Sequence, residues 1–167
     1  MEASFHQDPV INKERRYQLF LEQFTSLIQD EKEFISVLAN TTAALKEAFH
    51  FFWIGFYLVK NDTLILGPFQ GSVACYRIKR GRGVCGTAWA EAKTQVVPDV
   101  DQFKGHIACS SLSRSEIVVP IIVDGKVKGV LDIDSEYLNT FDETDKLYLE
   151  KLVDLLTTCL NWTISVP

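Results

Sequence analysis

The stretch Glu116-Ile117-Val118-Val119-Pro120-Ile121-Ile122-Val123-Asp124-Gly125-Lys126-Val127-Lys128-Gly129-Val130-Leu131-Asp132-Ile133-Asp134 decides the fold of this chain. Two alternating apolar runs flank an Asp-Gly pair, a strong short-range hairpin signal. Two registers compete. A two-residue type I′ loop pairs Val123 with Lys126, sets Glu116 on the face opposite Asp132 and mixes apolar with charged residues on both faces. A three-residue loop with Gly125 in the left-handed region pairs Ile122 with Lys126 instead. One face then reads Ile117, Val119, Ile121, Val127, Gly129, Leu131 and Ile133. The other reads Glu116, Val118, Pro120, Ile122, Lys126, Lys128, Val130, Asp132 and Asp134. Register follows the hydrophobic pattern, so the second arrangement is expected. It makes Glu116 and Asp132 cross-strand neighbours, with Asp134 two residues along on the same face.

Outward from the hairpin, residues 50–59 alternate: Phe52, Ile54, Phe56 and Leu58 point one way, Trp53, Gly55 and Tyr57 the other. Asn61-Asp62 marks a turn, 63–66 a returning strand, and 72–78 a further strand. A short helix over Gly83 to about Ala92 precedes a strand at 95–97, and the polar, Ser-rich segment 99–115 is long enough for a functional loop. Helical periodicity frames this sheet. From Asn12, Tyr17, Phe20, Leu21, Phe24, Leu27 and Ile28 recur at three- and four-residue steps. Asp30 is placed to cap a second helix with Phe34, Val37, Leu38, Ala44, Leu45 and Ala48 on its stripe. A last helix starts after Thr140 or Asp142 and carries Leu147, Leu149, Leu152, Val153, Leu156, Cys159 and Leu160. The expected class is α+β: a mostly antiparallel sheet, terminal helices on its clean apolar face, and ligand-covering loops with a short helix on the other.

A chain of 167 residues fits one domain, assigned here to 12–167 behind a less structured segment 1–11. No apolar run reaches the length that spans a bilayer, and residues 1–8 lack the basic and apolar regions of a secretory signal, so the expected address is the cytoplasm. A net charge of −5 gives no footprint for nucleic acid. Arg77, Lys79, Arg80 and Arg82 form a local basic stretch, read first as a solvated loop and second as a rim for an anionic group.

The four cysteines Cys75, Cys85, Cys109 and Cys159 are not a disulfide framework in a reducing compartment. Cys159 lies on the apolar stripe of the last helix and reads as core. Zinc sites favour close pairs such as Cys-x-x-Cys, which this chain lacks, and His106-x-x-Cys109 is only half a site, so no metal is expected. A redox thiol needs an accessible position that favours the thiolate. Cys109 meets this best, on the polar loop beside Ser110, Ser111 and Arg114, while Cys85 opens a short helix and Cys75 sits on a strand. On chemistry alone, reactive thiols and inert packing are evenly matched. Three carboxylates on one sheet face repel unless a cation sits among them or some keep their protons. They suit a ligand ammonium, a metal or an acid catalyst; the alternative is three solvated charges at a strand end. Trp53 and Tyr57, flanking Gly55, could box a small apolar or cationic group, or simply pack.

The segments Gly83-Val84-Cys85-Gly86, Ile107-Ala108-Cys109-Ser110-Ser111, Ser115-Glu116-Ile117-Val118-Val119-Pro120 and Gly129-Val130-Leu131-Asp132-Ile133-Asp134-Ser135 resemble those of free methionine-R-sulfoxide reductases, enzymes built on a GAF domain. The resemblance runs over roughly 15 to 160, and its three-cysteine pattern is specific within the larger GAF group. It implies a GAF fold and Cys109 as catalytic cysteine, with Cys75 as its resolving partner in a disulfide and Cys85 as a third cysteine of unsettled role. It implies further that Glu116, Asp132 and Asp134 hold the substrate ammonium and assist the chemistry, and that Trp53 and Tyr57 border the S-methyl group. The substrate would be free methionine-R-sulfoxide, reduced in defence against oxidative stress. No cofactor would be bound, thioredoxin or another dithiol would recharge the cysteines, and a homodimer is compatible. The competing readings are a non-enzymatic GAF sensor of a small ligand, which would ordinarily be fused to a signalling domain, and a metal-stabilised interaction module, which would carry stoichiometric zinc.

Overall fold

The hairpin supplies one central strand and its outer neighbour to a six-stranded antiparallel sheet. The computed structural model describes residues 4–5, 10–107 and 110–163. Its strands are β1 (Trp53–Lys60), β2 (Thr63–Gln70), β3 (Arg77–Lys79), β4 (Gln95–Val97), β5 (Ser115–Val123) and β6 (Lys126–Ser135). They lie in the order β3-β2-β1-β6-β5-β4. The helices are α1 (Lys13–Ile28), α2 (Phe34–Phe49), α3 (Gly83–Glu91) and α4 (Glu143–Cys159).

The hairpin combines features of both expected registers. Asp124 and Gly125 both take positive φ, 51° and 72°, and Val123 pairs with Lys126, so the turn is the two-residue type that the alternation argued against. The register then slips between Ile121 and Ile122, leaving Lys128 as an extra residue between Val127 and Gly129. Beyond this bulge the apolar alternation is restored, with Ile117 opposite Ile133 and Val119 opposite Leu131. The three acids share a face as expected, but Glu116 pairs with Asp134, and Asp132 pairs with Val118. Val127, on the turn side of the bulge, packs with the site face and not with the helix-covered one.

Two cores follow from the two faces. Ile54, Phe56, Leu58, Ile117, Val119, Ile121, Leu131 and Ile133 form the helix-covered core with Tyr17, Phe20 and Phe24 of α1, Leu38 and Leu45 of α2, and Leu149, Leu152 and Leu156 of α4. Each large side chain fully buried there stabilises the fold by about 1.5–3 kcal/mol. Phe5 joins them, its ring tilted against those of Phe20 and Phe24, with its N–H donating to Glu47 Oε1 at 3.0 Å. Leu147, assigned to the α4 stripe, is 47% exposed; the stripe begins at Tyr148 and Leu149. On the other face, α3 packs with Trp53, Tyr57, Leu64, Ile78, Val118 and Val130. Phe52, just before β1, packs on this side and not with Ile54, because the strand alternation starts one residue later, at Trp53.

Local chemistry sets the helix ends. Asn12 Oδ1 accepts from Arg15 N at 2.8 Å and starts α1 as its composition suggested. Asp142 and Asp145 form a reciprocal capping box on α4. Asp30 does not cap α2. Glu31 Oε1 accepts from both Lys32 N and Glu33 N at 2.8 Å, holding the chain in a turn, and α2 begins only at Phe34. The expected strand over 72–78 shrinks to Arg77–Lys79, extended by one bond from Leu66 N to Tyr76 O at 3.1 Å, and residues 72–75 run as a strap across the site face.

Candidate active site

Pairing across the sheet assembles the site in rows. Val97, Glu116, Asp134 and Trp53 lie abreast on β4, β5, β6 and β1. The next row is Gln95, Val118, Asp132, Gly55 and Phe69, and the third is Pro120, Val130, Tyr57 and Leu66. Gly55 is required where it stands: a Cβ there would lie 2.3 Å from Trp53 Cη2 and 2.7 Å from Phe69 Cβ. Its missing side chain lets the indole lie down over the strand, stacked against Phe69 at 5.5 Å and Tyr57 at 6.1 Å between centroids.

The aromatic pair also ties the strap to the sheet. Trp53 Nε1 donates to Ser72 O at 2.9 Å, and Tyr57 Oη donates to Cys75 O at 3.0 Å. Burial pushes the Tyr57 phenol up, reinforced by the charge of Asp132, so it stays a donor. The cleft beneath the strap occupies roughly 550 Å³ including the part open to solvent. Its apolar wall includes Trp53, Tyr57, Ile78, Val84 and Ile107; its polar lining includes Cys85, His106, Ser110, Ser113, Glu116, Asp132, Asp134 and Arg82.

Three carboxylates share this enclosure, and none is paired with a Lys or Arg among the described residues. Burial raises Glu116 well above the usual carboxylate range, with Asp132 and Asp134 adding repulsion. Asp132 is raised by burial and then by Asp134. Asp134, the most open of the three, is pushed up to about 6 by burial, although Ser113 Oγ donates to its Oδ1. At neutral pH the trio therefore keeps a share of its protons. His106 Nε2 stands 4.0 Å from Glu116 Oε2, but burial lowers its pKa, so it brings no full charge. Such a cluster can hold a cation or deliver a proton.

Of the sequence-nominated residues, Trp53, Tyr57, Cys85, Glu116, Asp132 and Asp134 line one cleft. Cys85, buried on the first turn of α3 close to Asp132, has its thiol raised well above the ordinary value by burial, with the charge of Asp132 adding to it. The helix start does not make it a thiolate there. Cys75, on the strap and half-buried, is disulfide-bonded, whereas Cys85 and Cys159 are free thiols. Cys109 lies outside the described residues. Cys159 packs against the helix-covered core as expected. Ser113 escaped the sequence reading, since nothing in a Ser-rich loop marks the one serine that will meet a carboxylate. His106 entered it only as half a zinc site. The basic stretch is solvated: Arg77, Lys79, Arg80 and Arg82 are exposed, Arg80 lying over Trp89 at 5.7 Å.

Residues 33–160 match the GAF domain family. The chain is 57% identical to GAF domain-containing protein A of Dictyostelium discoideum over 87% of its length and 92% of that protein. It is 47% identical to the free methionine-R-sulfoxide reductase of Escherichia coli, covering 92% of this chain and 93% of that one. The X-ray structure of free methionine-R-sulfoxide reductase from Neisseria meningitidis, in complex with its substrate, superposes with a TM-score of 0.91 at 54% identity, covering 95% of each chain.

Proposed function

The chain belongs to the GAF-domain family, among its free methionine-R-sulfoxide reductases, and from that premise we propose that it reduces free methionine-(R)-sulfoxide with Cys109 as the nucleophile. The observation that carries the reading is the carboxylate trio Glu116, Asp132 and Asp134 lining one cleft together with the Trp53 indole. A free amino acid has an ammonium for such a cluster, and its S-methyl group suits an aromatic wall. A residue inside a peptide has no ammonium to offer.

The chemistry balances with the chain's own groups and one external dithiol. A Cys109 thiolate attacks the sulfoxide sulfur while one carboxylic acid of the trio protonates the departing oxygen. The S–O bond breaks as the S–S bond forms, and the protonated oxygen, released as hydroxide, attacks Cys109 Sγ; the S–S bond then breaks with its electron pair going to methionine, which leaves, and Cys109 is left oxidised as a sulfenic acid. The Cys75 thiol displaces water from it, giving a Cys75–Cys109 disulfide. A dithiol protein such as thioredoxin then returns both thiols by exchange and is itself oxidised. This cycle belongs in a reducing cytoplasm. Among the described residues no helix is long and apolar enough to cross a membrane.

The disulfide state of Cys75, with Cys85 and Cys159 free, supports Cys75 as the resolving thiol. The hydrogen bond from Tyr57 to the Cys75 carbonyl supports a strap held for that step. The test is turnover of racemic free methionine sulfoxide with dithiothreitol or thioredoxin. Consumption of the R epimer alone, lost in Cys109→Ser, is expected. Full turnover by Cys109→Ser overturns the assignment.

A further inference from the structure

We propose that the same cleft is a zinc site, with the Cys85 thiolate and one oxygen each from Glu116 and Asp132 as protein ligands. All three side chains are buried, and their donor atoms lie within 4.8 Å of one another. Zinc takes sulfur at about 2.3 Å and carboxylate oxygen at about 2.0–2.2 Å, so each donor would close in by about 1 Å or less. An independent observation points to a ligand in this space. Asp132 is 6% exposed and lines the cleft, yet its Oδ1 has no hydrogen-bond partner. A buried carboxylate oxygen without a partner is costly, and a cation beside it removes the cost.

The donor set selects the metal. A thiolate with two carboxylates suits a borderline ion such as zinc, whereas magnesium and calcium demand oxygen alone. Protons now held on Cys85, Glu116 and Asp132 by burial and mutual repulsion would be displaced, so metal uptake releases acid. Cys85 stays free while Cys75 is in its disulfide, so the ligand is available in the oxidised protein, where the resolving thiol is not. One consequence, though not the site itself, rests on the reading of the cleft as a methionine-sulfoxide pocket: zinc on Glu116 and Asp132 leaves them no room for an ammonium, so metal and substrate exclude each other.

The test uses the full-length oxidised protein, titrated with zinc against a chromophoric chelator, and with cobalt as a spectroscopic probe. One equivalent of zinc and a thiolate-to-cobalt charge-transfer band are expected. Cys85→Ser should abolish the band and weaken zinc binding by at least about 100-fold, beyond what loss of an outer partner costs. Asp132→Asn, which keeps the side-chain volume, should weaken binding while Cys159→Ser leaves it unchanged. Failure of the wild type to take up zinc, or equal affinity in Cys85→Ser, overturns the site. Free methionine sulfoxide should displace the metal. Zinc that depends on Cys85 but resists displacement refutes the exclusion and counts against the substrate placement, while leaving the metal site standing.

Discussion

Glu116 and Asp134 face each other directly across the β5–β6 ladder, two carboxylates paired on a buried face with Asp132 two residues along β6. Like charges in that position are tolerated only if protons or a cation intervene. Asp134 is pushed up to about 6 from an ordinary 3.8, so the folded protein holds that proton more tightly than the unfolded chain does. Its stabilising contribution is complete below about pH 4 and is lost as pH rises through about 6. Asp134→Asn should therefore flatten the stability profile between pH 4 and 6. Above it, the variant should gain about 1–2 kcal/mol over wild type, allowing for the partial exposure of Asp134. Urea midpoints measured across this pH range check it; parallel profiles would refute it.

Gly55→Ala tests the aromatic wall. The new methyl would meet the Trp53 ring at 2.3 Å, so the indole must leave its seat between Tyr57 and Phe69. Overpacking of this kind costs about 1–3 kcal/mol. The KM for methionine sulfoxide should rise more than kcat falls, with a lower melting temperature. An unchanged KM would mean that the indole does not border the substrate.

Tyr57→Phe removes the donor to the Cys75 carbonyl and nothing else from the cleft wall. Stability should fall by about 0.5–1.5 kcal/mol. Formation of methionine in the first turnover should keep its rate, while the following disulfide step slows. A sulfenic-acid trap should capture more of the oxidised intermediate than in wild type. Equal capture would show that the strap needs no tie to Tyr57.

Asp145 offers a contrast on the far side of the sheet. It accepts from the fully buried Tyr17 hydroxyl at 2.8 Å, from Lys13 at 2.6 Å and from Asp142 N at 2.8 Å. Asp145→Ala orphans that hydroxyl and opens the α4 cap, at a combined cost of about 2–4 kcal/mol. Thermal unfolding should shift down accordingly, with kcat and KM unchanged below the transition. A changed KM would reveal coupling between the helix layer and the cleft.

The sequence made the faces legible more readily than the pairings. Alternation alone assigned Glu116, Asp132 and Asp134 to one side and Ile117, Leu131 and Ile133 to the other, because burial acts on every second residue. It could not place the bulge at Lys128. An extra residue preserves the pattern on both sides of itself, and Gly129, where a Cβ would meet Tyr57 O at 2.6 Å, marks the spot only once β1 is in place. Residues 72–75 carry no legible signal for a related reason: their order comes from Trp53 and Tyr57, nineteen and eighteen residues away along the chain, and such bonds leave no local pattern. Helix α2 starts late because one carboxylate, Glu31, binds two backbone donors; Asp30 was an equally good capping candidate by composition. The same limit hid Ser113, whose meeting with Asp134 depends on how the loop enters β5.

Whether Cys109 is the nucleophile and Cys75 resolves it is decided by one single-turnover experiment. The fully reduced protein is mixed with excess free methionine-(R)-sulfoxide and no reductant; methionine released is counted and the cysteines are mapped by mass spectrometry. One methionine per chain, a Cys75–Cys109 linkage, and no methionine from Cys109→Ser are expected. Methionine release by Cys109→Ser, or a Cys85–Cys109 linkage in the wild type, would contradict these roles.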